Sequence, residues 1–304
     1  MIRRRTALFA LAALALAACG KREGASTEPA KDAPRRVVSL SPSTTEAVFA
    51  LGAGASLVGR SRYCDHPPEA ARLPVVGGYA DPSIEAILAL SPTLVVSARG
   101  PAGPALEQAL RAHGAATYFP ETESFAQIEE MLTELGRQLG AEAGAAGSVA
   151  RLRAQRRAVE EAVRSRPRVR VALLFDTAPV VAAGPGSFPD ELIRISGGEN
   201  AVTRGGAYPS VPVEHLLALD PDLLIDGAAE AHEGAPSAAS RLAALREAPG
   251  WRELRAMREG RVRLLASAAA LRPGPRIGEG LIALALTIHG DDLAVAPQIP
   301  GAAP

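Results

Sequence analysis

Two glutamates, Glu85 and Glu214, stand at the same place in a short unit that the chain carries twice. Residues 83–96 read SIEAILALSPTLVV and residues 212–225 read PVEHLLALDPDLLI, and aligning the glutamates brings Glu, Leu, Ala, Leu, Pro and Leu into register. An acidic residue in the first turn of a helix complements the helix dipole, which would explain each glutamate locally. A matched pair of outward-facing carboxylates would instead suit a partner with two equivalent basic sockets, such as a two-fold symmetric dimer. The residues alone leave both interpretations open.

A second group of residues could bind a ligand. Three of the four Tyr and two Arg lie in loops that the order of the chain predicts at strand ends and helix N-termini: Tyr63, Tyr79, Arg99, Tyr208 and Arg272. Tyr offers a flat apolar face and a hydroxyl, which suits a large planar ligand, and Arg could bind ligand carboxylates. The alternatives are tyrosines that only pack their own loops and arginines that are simply solvated. We predict these five as ligand-binding residues.

No catalytic or metal-binding motif accompanies these residues. The sequence lacks a G-x-S-x-G elbow, a G-x-G-x-x-G loop and a G-K-[ST] phosphate loop, and its five His lack H-E-x-x-H spacing. We therefore predict a protein that is not an enzyme and has no resident cofactor or metal. A metal-ion-binding lipoprotein is a less favoured alternative, with Asp65–His66 and His232–Glu233 as conceivable ligands.

The N-terminus is predicted to be a processing signal rather than part of the fold. Residues 1–19 combine the basic stretch MIRRR with a short apolar run that ends in LAAC, with Cys19 last. The pattern resembles the bacterial lipobox, in which the signal is cut before Cys and the thiol is lipidated; a plain secretory signal is the alternative. Lipidation at Cys19 would anchor the protein to a membrane without spanning it. Residues 20–34 are typical of a flexible tether.

Composition narrows the class of protein. The 304 residues are 47% hydrophobic and 22% charged, which is typical of a soluble globular protein, and the formal net charge is +0. The absence of a long basic block argues against nucleic-acid binding, because Lys and Arg supply most of that affinity. With Cys19 lipidated, Cys64 has no intrachain partner, so core burial rather than disulfides must stabilise the fold. Cys64 is predicted to be a semi-buried bystander.

The elements that must position these residues alternate between strand and helix. Runs such as RRVVSL, SLVGRS and TLVVSA alternate with helical patterns, which indicates an α/β fold with mainly parallel sheets. SPSTTEAVFALGAG is predicted to form a helix in which Ser43 and Glu46 have capping-box spacing. RLPVVGGYADPS is predicted to form a strand and a loop, with Asp81 or Ser83 capping the next helix.

One segment without a strand divides the alternating pattern. Residues 141–167 are rich in Ala, Arg and Glu, and their apolar positions suit a long helix with a narrow buried stripe. We predict an N-terminal α/β lobe at 35–140, this connecting helix, a C-terminal α/β lobe at 168–290 and a disordered tail at 291–304. Since the repeated unit occurs once in each lobe, an internal duplication is indicated. A ligand would bind in the cleft between the lobes.

The chain from about residue 35 to residue 290 resembles the helical-backbone class of substrate-binding proteins of bacterial ABC importers. Six stretches carry the resemblance, in order across both lobes: RRVVSLSPSTTEAVFALGA, LVGRSRYCDHPPEA, VGGYADPSIEAILALSPTLVV, LIRISGGENAV, PVEHLLALDPDLLI and RPGPRI. Within that class the sequence is most similar to the cobalamin-binding group, which is related to haem and ferric-siderophore binders.

The resemblance implies how the two glutamates act. In such proteins a Glu at each of two helix starts docks on Arg residues of a dimeric membrane permease, and Glu85 and Glu214 stand at the matching positions. It also implies an exported, monomeric protein, in the periplasm or at the cell surface, that delivers its ligand to the permease and its ATPase subunits. The long connecting helix should limit hinge opening, so that the lobes close only slightly.

The implied ligand is a corrinoid, with haem or a ferric siderophore as the alternative. The cobalamin-binding group lines its cleft with several Trp and Phe. The matching positions here carry Tyr79, Tyr208 and small residues such as Ala98, while the only Trp, Trp251, lies outside the candidate loops. A cleft with Tyr could instead bind haem, with a phenolate on the iron, or another metal chelate.

Overall fold

The computed structural model describes residues 35–100, 103–227, 237–265 and 267–295. All of them belong to one compact unit that begins at Arg35. The predicted signal peptide, Cys19 and the predicted tether lie outside the described residues. Two mainly parallel β-sheets with intervening helices build the unit, which confirms the predicted α/β fold with two lobes.

The N-terminal lobe is built on a four-stranded parallel sheet with the strand order β2-β1-β3-β4. Its strands are β1 (Val37–Ser39), β2 (Leu57–Arg60), β3 (Leu94–Val96) and β4 (Ala116–Tyr118). Its helices are α1 (Pro42–Ala50), α2 (Ile84–Ala89) and α3 (Gly103–Ala112). Every residue of β1 and β3 is buried, as expected for short parallel strands that are covered on both faces.

The first helix begins differently from the prediction. Ser41 rather than Ser43 is the N-cap of α1, and its side chain accepts a hydrogen bond from the backbone N–H of Thr44. Glu46 therefore closes no capping box. Its buried carboxylate is instead bound by arginines of the C-terminal lobe.

The segment before α2 also differs from the prediction. RLPVVGGYADPS forms no strand and makes only isolated bridges, such as that between Arg60 and Val75. Of the two predicted caps, Ser83 is the one used, since its side chain accepts from the N–H of Ala86. Asp81 pairs with Arg62 instead.

Two consecutive helices follow the N-terminal sheet. They are α4 (Phe125–Leu139) and α5 (Glu142–Val163), which pack along one another. The longer helix, α5, lies within the predicted connecting segment. Its predicted apolar stripe is buried at Val149, Leu152, Val159 and Val163.

The C-terminal lobe is built on a five-stranded sheet with the order β6-β5-β8-β9, in which β7 also pairs with β5. Its strands are β5 (Val169–Thr177), β6 (Val180–Ala182), β7 (Gly198–Asn200), β8 (Leu223–Asp226) and β9 (Val262–Leu264). Only the β5–β6 pair is antiparallel among these pairings. Strand β7 was not predicted from the sequence.

Five helices of the described residues belong to this lobe: α6 (Phe188–Ile195), α7 (Val213–Leu219), α8 (Ala238–Glu247), α9 (Arg255–Arg258) and α10 (Ile277–His289). The last of them, α10, packs against α5. Of the predicted tail, residues 291–295 are described, and Leu293 is buried in the core. The prediction of disorder is therefore wrong at Leu293. In the described part of the chain, no helix combines the length and apolarity needed to cross a membrane.

The elements of the repeated unit recur at the same spacing in both lobes. Helices α2 and α7 begin 129 residues apart, and so do strands β3 and β8, which is also the separation of Glu85 and Glu214. The turn between helix and strand contains a left-handed residue other than glycine in each copy, Ser91 (φ 47°) and Asp220 (φ 42°). Because this conformation is uncommon for such residues, its recurrence at one position supports the internal duplication.

An arginine ties this turn to the sheet in each lobe. Arg36 donates to the carbonyls of Leu90 and Ser91 at 2.7 to 3.2 Å, and Arg170 donates to the carbonyl of Asp220 at 3.2 Å. The backbone N–H groups of the same two arginines donate to Thr93 Oγ1 at 3.0 Å and to Asp222 Oδ2 at 3.2 Å. Both short helices are thus held by matching hydrogen bonds.

Candidate functional site

A cleft of ≈ 430 Å³ opens between the two lobes. Apolar and aromatic groups line it together with a few polar side chains, as is typical of small-molecule sites. The lining residues are Ser41, Pro42, Ser43, Tyr79, Ala98, Arg99, Gly100, Thr122 and Glu123 from the N-terminal lobe, and Phe188, Tyr208, Leu271, Arg272 and Pro273 from the C-terminal lobe.

Four of the five predicted ligand-binding residues line this cleft. Tyr79 and Arg99 enter it from the N-terminal lobe, and Tyr208 and Arg272 enter it from the C-terminal lobe. Tyr63 does not belong to the lining. Its ring is exposed at the surface, with the guanidinium of Arg62 5.8 Å from the ring centroid.

Tyr79 is fixed by its hydroxyl and by a glycine. The hydroxyl donates to the carbonyl oxygen of Arg99 at 2.7 Å. A side chain at Gly100 would collide with the Tyr79 ring, so the close approach depends on glycine at that position. Burial raises the pKa of the Tyr79 hydroxyl, and the nearby carboxylates of Glu123 and Glu121 raise it further. Tyr79 therefore presents a neutral ring to the cleft.

Tyr208 reaches across the cleft from the opposite lobe. Its hydroxyl donates to Glu123 Oε2 at 2.7 Å, and its ring meets Phe175 edge-on with centroids 5.5 Å apart. Burial, followed by the hydrogen bond to Glu123 and the negative charge of Glu123, raises the pKa of Tyr208 far above its usual range. The phenolate form of Tyr208 is therefore strongly disfavoured while this contact is made.

Both cleft arginines are already engaged by acidic side chains. The Nε atom of Arg99 lies 2.6 Å from Glu121 Oε1, and its Nη2 atom donates to the carbonyl of Phe119. Arg272 donates to both carboxylate oxygens of Asp65, at 2.6 and 3.1 Å, across the two lobes. These hydrogen bonds with Arg272 lower the pKa of Asp65. Neither arginine offers an unpaired guanidinium to a ligand.

A buried ion pair lies directly behind Arg272. Glu46 receives two hydrogen bonds of 2.8 Å from Arg276 and a further one of 3.2 Å from Arg272. The backbone approaches closely here as well, since a Cβ on Gly274 would lie 3.1 Å from the carbonyl oxygen of Ser43. The pairing of Glu46 with Arg276 was not predicted from the sequence. The RPGPRI stretch, with two arginines four residues apart, was the available signal.

A reciprocal pair of carboxylates also joins the lobes beside the cleft. Glu123 Oε2 accepts from the backbone N–H of Phe188, the first residue of α6, at 3.1 Å. Glu191 Oε2 accepts from the backbone N–H of Phe125, the first residue of α4, at 2.8 Å. Each carboxylate thus serves a helix N-terminus whose N–H groups have no partner within the helix. Glu123 was not predicted as a site residue, because nothing in the neighbouring sequence distinguishes it.

Glu85 and Glu214 lie in the first turns of α2 and α7. Both side chains are exposed, and neither forms an ion pair with any residue that the structure describes. Helix α7 has no side-chain cap, whereas α2 has one from Ser83. The two carboxylates are therefore available at the surface of their respective lobes.

The remaining candidate groups contribute little to the cleft. Cys64 is fully rather than partly buried, and burial raises the pKa of its thiol. Within the described ranges, no three His, Cys, Asp or Glu residues come together in a way that could hold a metal ion. Asp65 is bound to Arg272, while His232 and Glu233 lie outside those ranges.

Comparison with known proteins agrees with this architecture. Residues 37–269 match the family described as periplasmic binding protein. The chain belongs to this family. The predicted resemblance is therefore confirmed at the family level, and with it an exported, periplasmic protein of a solute-binding rather than an enzymatic class.

Individual relatives point to two kinds of ligand. The vitamin B12-binding protein of Photorhabdus laumondii is 31% identical over 199 residues, which cover 64% of this chain and 70% of the relative. A periplasmic haem-binding protein from Pseudomonas aeruginosa superposes with a TM-score of 0.73 and 29% identity, covering 85% of this chain and 94% of the other. The periplasmic vitamin B12-binding protein of Vibrio cholerae superposes with a TM-score of 0.67 and 26% identity, covering 84% and 96%.

Proposed function

We propose that this periplasmic binding protein is the substrate-binding component of an ABC importer and that it captures a corrinoid. The ligand would enter the cleft between the lobes and lie against the rings of Tyr79 and Tyr208. The vitamin B12-binding relative at 31% identity supports this ligand class. Stacking on aromatic faces suits a large, flat macrocycle.

The hydrogen bonding of the two cleft tyrosines is the observation that favours a corrinoid over haem. The Tyr79 hydroxyl donates to Arg99 and the Tyr208 hydroxyl donates to Glu123. Each hydroxyl proton is held by its acceptor, so binding of either oxygen to iron as a phenolate would require the loss of that proton and of its hydrogen bond. A ligand that needs only ring faces and hydrogen bonds fits this arrangement without breaking it.

Haem is the second candidate, because the haem-binding protein from Pseudomonas aeruginosa superposes well and at 29% identity. For a phenolate of Tyr208 to bind iron, its hydrogen bond to Glu123 must first break. A ferric siderophore would face the same requirement if a tyrosine bound its iron. Haem and ferric siderophores are therefore less favoured, because binding their iron through a tyrosine would cost the free energy of this hydrogen bond.

Delivery would use Glu85 and Glu214 as docking residues for a dimeric permease with its ATPase subunits. The duplication supports this proposal, since both glutamates occupy the same turn of equivalent helices and both are exposed. Charge-assisted pairing with two symmetry-related arginines would then align the binding protein on the permease. The protein would act as a monomer, anchored to a membrane by a lipid on Cys19.

A binding titration tests the proposed ligand. Cyanocobalamin, cobinamide, haemin and several ferric siderophores are titrated into the purified protein and followed by absorbance and calorimetry. We expect 1:1 binding of a corrinoid and weaker or no binding of the other ligands. Binding of haemin with a phenolate-type spectrum, together with no corrinoid binding, would replace the corrinoid by haem.

A further inference from the structure

Two arginines and one glutamate line the cleft, and they differ in whether a side chain of opposite charge pairs with them. Arg99 is paired with Glu121 at 2.6 Å, and Arg272 forms a bidentate pair with Asp65. Glu123, by contrast, has no cationic partner among residues 35–100, 103–227, 237–265 and 267–295. The positive charges of the cleft are therefore neutralised by the protein, whereas the negative charge of Glu123 is not.

The two oxygens of the Glu123 carboxylate have different surroundings. Oε2 accepts the hydroxyl of Tyr208 at 2.7 Å and the backbone N–H of Phe188 at 3.1 Å. Oε1 accepts no hydrogen bond from the described residues, and it is not among their buried unpaired atoms, so it remains accessible. One oxygen is thus committed to the protein and the other is available to a ligand.

The carboxylate of Glu123 is also difficult to displace. Turning it away would leave the first N–H of α6 and the Tyr208 hydroxyl without their acceptor. Because the N–H of Phe188 is partly buried, leaving it without an acceptor would be costly, and the side chain is expected to stay in place when a ligand arrives. A ligand must therefore suit a fixed negative charge at this point of the cleft.

We infer that Glu123 is a specificity-determining residue, which accepts a hydrogen bond from a primary amide of the ligand and repels a carboxylate at the same position. This inference rests on the proposed corrinoid function and adds the chemical feature that is selected. Corrinoids carry primary amides around the ring, whereas haem carries carboxylates. Like charges that face each other in a partly desolvated site weaken binding strongly, and a correctly placed amide instead donates to the carboxylate.

The test changes a single amide of the ligand. Cyanocobalamin is compared with its isomeric monocarboxylic acids, in each of which one propionamide has been hydrolysed. Dissociation constants are measured for the wild-type protein, Glu123→Gln and the control Glu130→Gln at one ionic strength. Gln at 123 keeps an oxygen acceptor for Tyr208 and Phe188 but loses the charge. Glu130 is an exposed glutamate of α4 outside the cleft lining, so its variant matches the change in net charge.

We expect the wild-type protein to bind at least one acid isomer about tenfold more weakly than cyanocobalamin, since a charge repulsion of this kind amounts to at least one power of ten in Kd. Glu123→Gln should reduce that ratio to about threefold or less and should bind haemin more tightly, whereas Glu130→Gln should keep the wild-type ratio.

Some results would contradict only the role of Glu123, and another would contradict corrinoid binding itself. Equal affinity of the wild-type protein for the amide and every acid isomer would overturn the role of Glu123, and so would a ratio that Glu123→Gln leaves unchanged. In both cases corrinoid binding itself would stand. Absence of any corrinoid binding by the wild-type protein would instead overturn the proposed function, and this inference with it.

Discussion

The hydroxyl of Tyr208 donates a 2.7 Å hydrogen bond to Glu123 across the cleft, and the same carboxylate oxygen accepts the backbone N–H of Phe188. One acidic side chain of the N-terminal lobe therefore holds both an aromatic ring of the cleft and the start of helix α6. A ligand that contacts Tyr208 also meets the contact that joins the lobes. Ligand binding and lobe closure should consequently depend on each other.

The rings of the cleft tyrosines should supply binding energy through their faces. Tyr79→Ala is expected to weaken corrinoid binding by about 1–3 kcal/mol, because it removes a stacked aromatic surface. Tyr79→Phe, which loses only the hydroxyl bonded to Arg99, should retain most of the affinity. Calorimetry on the two variants measures the difference. Unchanged affinity of Tyr79→Ala would remove Tyr79 from the site.

Removal of the buried Glu46 should destabilise the fold strongly. Glu46→Ala leaves Arg276 and Arg272 without their shared carboxylate and should lower the free energy of unfolding by about 3 kcal/mol. Glu161→Ala, which removes an exposed pair with Arg164, should cost less than about 1 kcal/mol. Urea denaturation provides both values. Equal effects of the two substitutions would show that the interlobe pair adds little.

Acid should weaken the contact between Asp65 and Arg272. The pKa of Asp65 is lowered in the folded state, so its contribution to stability is present at neutral pH and is lost as the pH falls below its usual value of 3.8 towards the folded value. The free energy of unfolding of Asp65→Asn should therefore fall less steeply below that pH than the wild-type value. Asp291→Asn, at an exposed position, serves as the control. An identical slope for Asp65→Asn and the wild-type protein would contradict the expectation.

If Glu85 and Glu214 dock on a permease, their removal should affect uptake but not ligand binding. Glu85→Ala combined with Glu214→Ala should leave corrinoid affinity unchanged and should lower uptake in cells, because the carboxylates lie outside the cleft lining. Each single substitution should have a smaller effect than the pair. A double substitution of Glu130 and Glu161, two other exposed glutamates, controls for the change in net charge. Normal uptake by the Glu85 and Glu214 double variant would exclude them as docking residues.

The parts of the structure that were predictable from the sequence are those with a local signal. Short β-branched runs gave the positions of β1, β2 and β3, and the repeated unit predicted two equivalent helix–strand pairs. The order of strands and loops was sufficient to bring Tyr79 and Tyr208 to one cleft. Tyr63 follows a strand as well, but it lies at the surface, because loop order does not fix the direction of a side chain.

The missed features depend on residues that are far apart in the chain. Glu46 is bound by Arg276, which lies 230 positions away, and no periodicity or spacing connects the two. The capping-box pattern of Ser43 and Glu46 gave a local explanation that the fold does not use. Glu123 was missed for the same reason, since its partners Tyr208 and Phe188 belong to the other lobe.

A direct competition between ligands tests the central claim that the cleft selects a corrinoid. A limiting amount of the protein is equilibrated with equal concentrations of cyanocobalamin and haemin, separated from free ligand and examined by absorbance. We predict that the protein retains the corrinoid and little haemin. Retention of haemin with the spectrum of a phenolate-bound iron would contradict the account, because it would require Tyr79 or Tyr208 to give up the hydrogen bond on which the assignment rests.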